Sequence, residues 1–106
     1  THWARDRHRG PKLSLEDAIR LQTSATAEFL GFDDRGVIAP GRKADINIID
    51  FDNLKLNYPH ATDDLPAGGR RLLQTADGYV ATIVNGVVTR RNGADTGARP
   101  GRLVRA

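Results

Sequence analysis

An α+β fold is what this 106-residue sequence predicts: an N-terminal helix pair followed by a small antiparallel β-sheet. Three observations predict it. A capped, apolar-striped segment begins at Leu15. Strand-like alternation runs through "INIID" (Ile46–Asp50) and "YVATIV" (Tyr79–Val84). An Asn85-Gly86 pair joins the second of these to "VVTR", and that dipeptide is the strongest short-range hairpin signal.

Along "LSLEDAIRLQTS", Ser14 is a good N-cap, with Asp17 three residues on in near-capping-box position. Glu16 and Asp17 fall in the first turn, where the helix dipole favours acids. Leu15, Ala18, Ile19 and Gln22 make one stripe, and Pro11 is compatible with a start here. A second, shorter helix, "ATAEFL", is expected to be capped by Ser24 and anchored by Phe29 and Leu30. Gly31 suits the left-handed position that closes it. Helices this short need a surface to pack on.

After Gly31, "DDRG" reads as a turn, and a second turn is set by Pro40 and Gly41. "INIID" then alternates, with Ile46 and Ile48 on one side and Asn47 and Ile49 on the other. Residues 51–78 read as loop-rich, punctuated by Pro59, Pro66, Gly68 and Gly69, with a short strand "RLLQT" after the Gly-Gly turn. Asn92-Gly93 marks another turn, and "TGARPGRLVRA" an extended tail. With about four strands expected, the sheet would have open edges that invite pairing.

Composition narrows the function. Apolar residues make up 39% and charged residues 27%, which suits a globular chain. No apolar run is long enough to span a membrane. With no Cys, disulfides and thiolate metal ligation are excluded. No signal peptide is recognisable, so the cytoplasm is the expected location. The start "THWARDRHRG" and the lack of any Met read as a piece of something longer. Net charge is +3, with Arg5, Arg7, Arg9 and Lys12 crowding one end and Arg90, Arg91, Arg99, Arg102 and Arg105 the other. Basic ends can hold phosphate, and Trp3 among them could stack on a base. A small basic module for nucleic acid or another anionic partner is therefore the alternative reading, although no named nucleic-acid motif is present.

Candidate chemistry is sparse. His2 and His8 are six residues apart and His60 stands beside Asp63 and Asp64, which is no zinc-site spacing. Asp45 and Asp50 would lie on opposite faces of a strand, roughly 16 Å apart, too far for shared acid–base work. Asp45 is instead expected to accept hydrogen bonds from the turn before the strand, and Asp50 to end the strand. The Gly68-Gly69 amides with Arg70 and Arg71 could nest an anion, but a tight turn is the simpler reading. Ser14 and Ser24 sit in no nucleophile elbow.

Taken together, "DRGVIAPGRKADINIID", "DLPAGGRRL", "GYVATIVNG" and "TGARPGRLVR" resemble the C-terminal end of the amidohydrolase superfamily. The likeness is nearest to the N-acyl-D-amino-acid deacylase (D-aminoacylase-like) branch. The resemblance implies a (β/α)8 barrel holding one or two divalent metals, usually zinc, that hydrolyses an amide bond such as that of an N-acyl-D-amino acid. It also implies that the H-x-H ligands, later histidines and catalytic Asp lie upstream of Thr1, so no catalytic or metal-ligating residue is expected here. Residues 1–31 would be the last helices of the barrel domain. Residues 32–106 would be the C-terminal part of a composite β-sandwich flanking it, completed by the missing N-terminal part of the same protein. His2, Arg5, Asp6 and Arg7 would lie near the substrate mouth. Pro40, Gly41 and Asp45 would be the structural turn that launches a sandwich strand, with Ile46 and Ile48 filling its interior. The piece alone would be inert and would self-associate through sheet edges.

Overall fold

In the computed structural model, which describes residues 1–105, Ser14 starts helix α1 (Leu15–Gln22) as expected. Its hydroxyl accepts the Asp17 N–H at 3.0 Å and donates to the Asp17 carboxylate at 2.9 Å. Helix α2 (Ser24–Phe29) follows after one residue. Ser24 does not cap it. Thr23 holds that position, with its hydroxyl turned back to the Ile19 carbonyl at 2.7 Å, because α2 begins too soon after α1 for a separate capping residue. The end of α2 is doubly closed. Gly31 N–H donates to the Glu28 carbonyl at 3.1 Å and Phe32 N–H to the Ala27 carbonyl at 2.8 Å.

The expected anchors of α2 are also corrected. Ala27 is the buried residue, at 6% exposure, whereas Phe29 is 88% exposed. The chain folds back after Phe32 so that Gly36 presses on α2, and a Cβ there would stand 2.8 Å from the Ala27 Cβ. Phe29, two residues on, points about 200° round the helix from that contact.

Eight short strands follow, arranged in three antiparallel pieces. β1 (Ile46–Ile49), β6 (Tyr79–Val84), β7 (Val87–Arg91) and β8 (Ala94–Asp95) form a four-stranded sheet in the order β1-β6-β7-β8. Both Asn-Gly turns form as expected, with φ of 49° and 79° at Asn85-Gly86 and 48° and 79° at Asn92-Gly93. Register places Ile46 opposite Ile83, Ile48 opposite Ala81 and Val88 opposite Ile83, giving one apolar face. Ile46 and Ile48 share that face, but only Ile46 is half-buried, and Ile48 remains 47% exposed. A bulge after Ile48 pairs Ile49 with Tyr79 and breaks the alternation.

Residues 51–78 are more regular than a loop. β2 (Lys55–Leu56) pairs with β5 (Ala76–Asp77), and β3 (His60–Leu65) pairs with β4 (Gly69–Leu73). Together they make a β-arm. The proline and glycine punctuation misleads because the breakers fall between strands. Pro59 separates β2 from β3, and Pro66–Gly68 forms the short helical turn at the tip.

Long-range polar contacts join these pieces. Asp45 accepts the Asn85 N–H at 2.8 Å and an Arg35 guanidinium N–H at 3.3 Å, while the Ala44 carbonyl accepts Gly86 N–H at 2.9 Å. Arg5 donates to the carbonyls of Phe51 and Leu54 and lies 5.4 Å from the centre of the Phe51 ring. At Gly78, φ is 94° and a Cβ would meet the Leu54 Cα at 2.7 Å and the Asp50 carbonyl oxygen at 3.0 Å. Only glycine lets the start of β6 pass so close to the chain that leaves β1.

Large faces stay uncovered. Ala27 and Ala81 are the buried apolar residues among those described. The surface is 8536 Å², against roughly 5,800 Å² for a compact monomer of this mass. The radius of gyration is 16.2 Å, where about 13 Å is usual.

Two substitutions test how the pieces are joined. Gly78→Ala is expected to lower stability by about 2 kcal/mol or more, since it adds a left-handed penalty to a backbone clash. Asp45→Ala is expected to cost about 1 kcal/mol and to speed exchange of the Asn85 and Gly86 amides selectively. Urea midpoints and amide exchange measure both.

Candidate functional site

The four residues expected near a substrate mouth lie on or beside one π-helical turn, His2–Asp6, closed by Arg5 and Asp6 N–H groups on the Thr1 carbonyl at 2.8 and 3.0 Å. They divide into two pairs. Arg5 and Asp6 form an ion pair at 2.6 Å, and Arg5 holds the Asp6 carboxyl below the usual carboxylate range. The remaining Arg5 N–H groups are turned to backbone, so this arginine acts as a bolt between the N-terminal turn and the end of β1. His2 and Arg7 instead meet at Trp3. The His2 ring stands edge-on at 5.1 Å, and the Arg7 guanidinium lies 4.6 Å from the centre of the Trp3 ring. Both His2 and Trp3 are exposed, so this small aromatic–cationic patch faces outward.

Pro40 and Gly41 occupy the corners of a turn closed by Arg42 N–H on the Ala39 carbonyl at 3.2 Å, with Gly41 at φ 82°. Asp45 does not bind that turn. Its two oxygens go to Arg35 and to the Asn85 N–H in the β6–β7 turn. Asp50 is engaged locally instead. It accepts the Asn53 side-chain amide at 2.7 Å and the Asn53 N–H at 3.3 Å, which pull its pKa down. The two carboxylates share no partner.

On the arm, Asp63 takes two N–H groups of Arg70 at 2.7 and 3.1 Å, and Asp64 takes two of Arg71, both at 2.6 Å. Each arginine holds its acid below the usual carboxylate range. These bidentate pairs occupy the cations that an anion nest at Gly68-Gly69 would need, and the acids that His60 would need as fellow ligands. Among the described residues, no three His, Asp or Glu side chains gather in a way that fits a metal ion. The acids and arginines flanking Pro66-Ala67-Gly68 were the signal for these pairs, since a hairpin brings its two flanks together.

Two concavities are seen among the described residues. One, of about 790 Å³, opens where the base of the arm meets the sheet and is lined by Asp50, Asn53, Gln74, Asp77, Thr82 and Arg90. The smaller lies where the tail crosses β6 and β7 beside Val84 and Thr89. The tail is pinned there. Thr96 donates through its hydroxyl to the Val88 carbonyl at 2.8 Å, and Asp95 takes Arg99 at 2.6 Å and Gly97 N–H at 2.8 Å. Arg99, and after it the Gly97 amide, push the Asp95 pKa far down. The Asp95-to-Arg99 spacing was visible in the sequence; the fold-back that makes it a clasp was not.

No helix among the described residues is long and apolar enough to cross a membrane. No curated protein and no solved structure matches the chain. A family model described as "Amidohydrolase family" matches residues 1–90, most of this chain. With its helix pair, small sheet and turn-launched first strand placed against that match, the chain belongs to the amidohydrolase family.

Proposed function

We propose that this chain is the scaffold end of a metal-dependent amidohydrolase of the D-aminoacylase-like branch, and that the amide-hydrolysing centre lies in another part of the protein. Residues 1–31 would close the catalytic barrel. Residues 32–106 would supply the C-terminal share of the flanking β-sandwich, in an enzyme of the cytoplasm acting on an N-acyl-D-amino acid or a similar amide. Family membership supports the reaction class. The observation that carries the scaffold reading is the excess of open surface: 8536 Å² against roughly 5,800 Å² for a compact chain. A surplus of that size is in the range of large permanent interfaces.

The partner that fits this surface is the remainder of the same protein. Phe29 on α2, Ile38 just before the Pro40-Gly41 turn and Ile48 on the sheet are large apolar side chains left exposed, as expected of faces that pack on a second layer. In that assembly the His2–Trp3–Arg7 patch and the Arg5–Asp6 pair would stand at the barrel rim, where loops carry substrate contacts. Zinc would be held elsewhere in the protein; among the described residues no three His, Asp or Glu side chains gather to support a site here. A module for nucleic acid is less well supported. Arg5, Arg7, Arg70, Arg71 and Arg99 are already engaged with carbonyls, rings or carboxylates.

The purified chain is expected to self-associate in sedimentation velocity, to bind an apolar dye, and to show no amidase activity on an N-acyl-D-amino acid after zinc addition. A monodisperse monomer without dye binding removes the open-face argument, and zinc-dependent turnover by this chain alone removes the scaffold reading. Phe29→Asp is expected to reduce association while shifting stability by less than about 0.5 kcal/mol, because the ring touches little within the chain.

A further inference from the structure

The two Asn-Gly turns have the same dipeptide and the same backbone conformation, yet their reactive atoms are held differently. In Asn-Gly, the glycine nitrogen can attack the asparagine side-chain carbonyl carbon. A C–N bond forms, a five-membered succinimide closes, and the side-chain nitrogen leaves as ammonia. Water then opens the ring to aspartate or isoaspartate. The attacking atom is the glycine nitrogen, so its hydrogen bonding controls the step.

At Asn85-Gly86 that nitrogen is engaged. Gly86 N–H donates to the Ala44 carbonyl at 2.9 Å, and Asn85 N–H donates to the Asp45 carboxylate at 2.8 Å, so the turn is clamped on both sides of the reacting bond. At Asn92-Gly93, Asn92 N–H is held by the Val80 carbonyl at 2.9 Å, but Gly93 N–H donates to no acceptor among the described residues. Asn85, Gly86, Asn92 and Gly93 are all exposed, so water reaches both turns and the hold on the glycine nitrogen is what separates them. The residue before Asn92 is Arg91, whereas Val84 precedes Asn85. A neighbouring cation favours loss of the amide proton that precedes attack.

We infer that Asn92 is a site of spontaneous succinimide formation and that Asn85 is its protected counterpart. The inference does not depend on the functional reading above. An isoaspartate at position 92 lengthens the backbone of a turn whose ends, Arg91 and Ala94, are paired across two residues. β8 then loses its register, and with it the Asp95–Arg99 clasp that pins the tail.

The test is peptide mapping by mass spectrometry after incubation of the purified chain at mildly alkaline pH, with and without strong denaturant. In the native chain Asn92 is expected to convert at least about fivefold faster than Asn85, the factor that one backbone hydrogen bond of ordinary net strength confers. In denaturant the two rates should converge. Asp45→Ala, which loosens the first turn, should raise the Asn85 rate and leave that of Asn92 unchanged. Equal native rates, a faster Asn85, or a native ratio that persists in denaturant would overturn the assignment. An unmoved Asn85 rate in Asp45→Ala would overturn the protective role given to the clamp.

Discussion

The carboxylate of Asp45 is the point on which the arrangement of this chain depends. One oxygen faces Arg35, in the segment that follows the helices, and the other takes an amide of the turn between β6 and β7. Between those partners runs β1, whose own pairing to β6 begins one residue later. A single side chain therefore sets how the helical part, the first strand and the central hairpin meet. The charge assists both bonds, and two bonds to one planar group fix direction as well as distance. The role is architectural, and the residue that performs it stands just before β1, four positions after Gly41 of the Pro-Gly turn.

Apart from such junctions, little holds the pieces to one another. The buried side chains among the described residues are alanines, which supply small apolar area. The ion pairs on the arm are exposed, and pairs of that kind contribute modestly to stability. The secondary structure is nevertheless well formed, with capped helices and turns of the right hand. Regular elements and thin packing coexist here because the local signals are strong.

What the sequence made legible was local. Ser14 with Asp17, Gly31 after Leu30, and the two Asn-Gly pairs each encode a conformation within a few residues, and each forms as read. The mismatches arise wherever the deciding contact is distant. Phe29 reads as an anchor because it is the largest side chain of its helix, but the face that packs is chosen by Gly36 pressing on Ala27. Asp45 reads as a turn residue, but its partner is 40 positions away. The β-arm is hidden because prolines and glycines that separate strands look the same as those that forbid them. Arg5 cannot be read as a bolt, since nothing near it in the chain announces the carbonyls of Phe51 and Leu54. As for chemistry, residue spacing alone offers no metal site, and the ion pairs of the arm explain why His60 has no free acids beside it.

The order β1-β6-β7-β8 has an asymmetry with a wider meaning. One border of the sheet is a four-residue strand with backbone groups free along its outer side. The other is β8, two residues long and followed at once by the pinned tail. Lateral growth of the sheet is therefore directional. Whatever continues it, whether a remote segment of the same polypeptide or a foreign ribbon, has one flank on which to dock. An insertion or fusion at the tail side leaves that docking flank intact, whereas one next to Ile46 obstructs it.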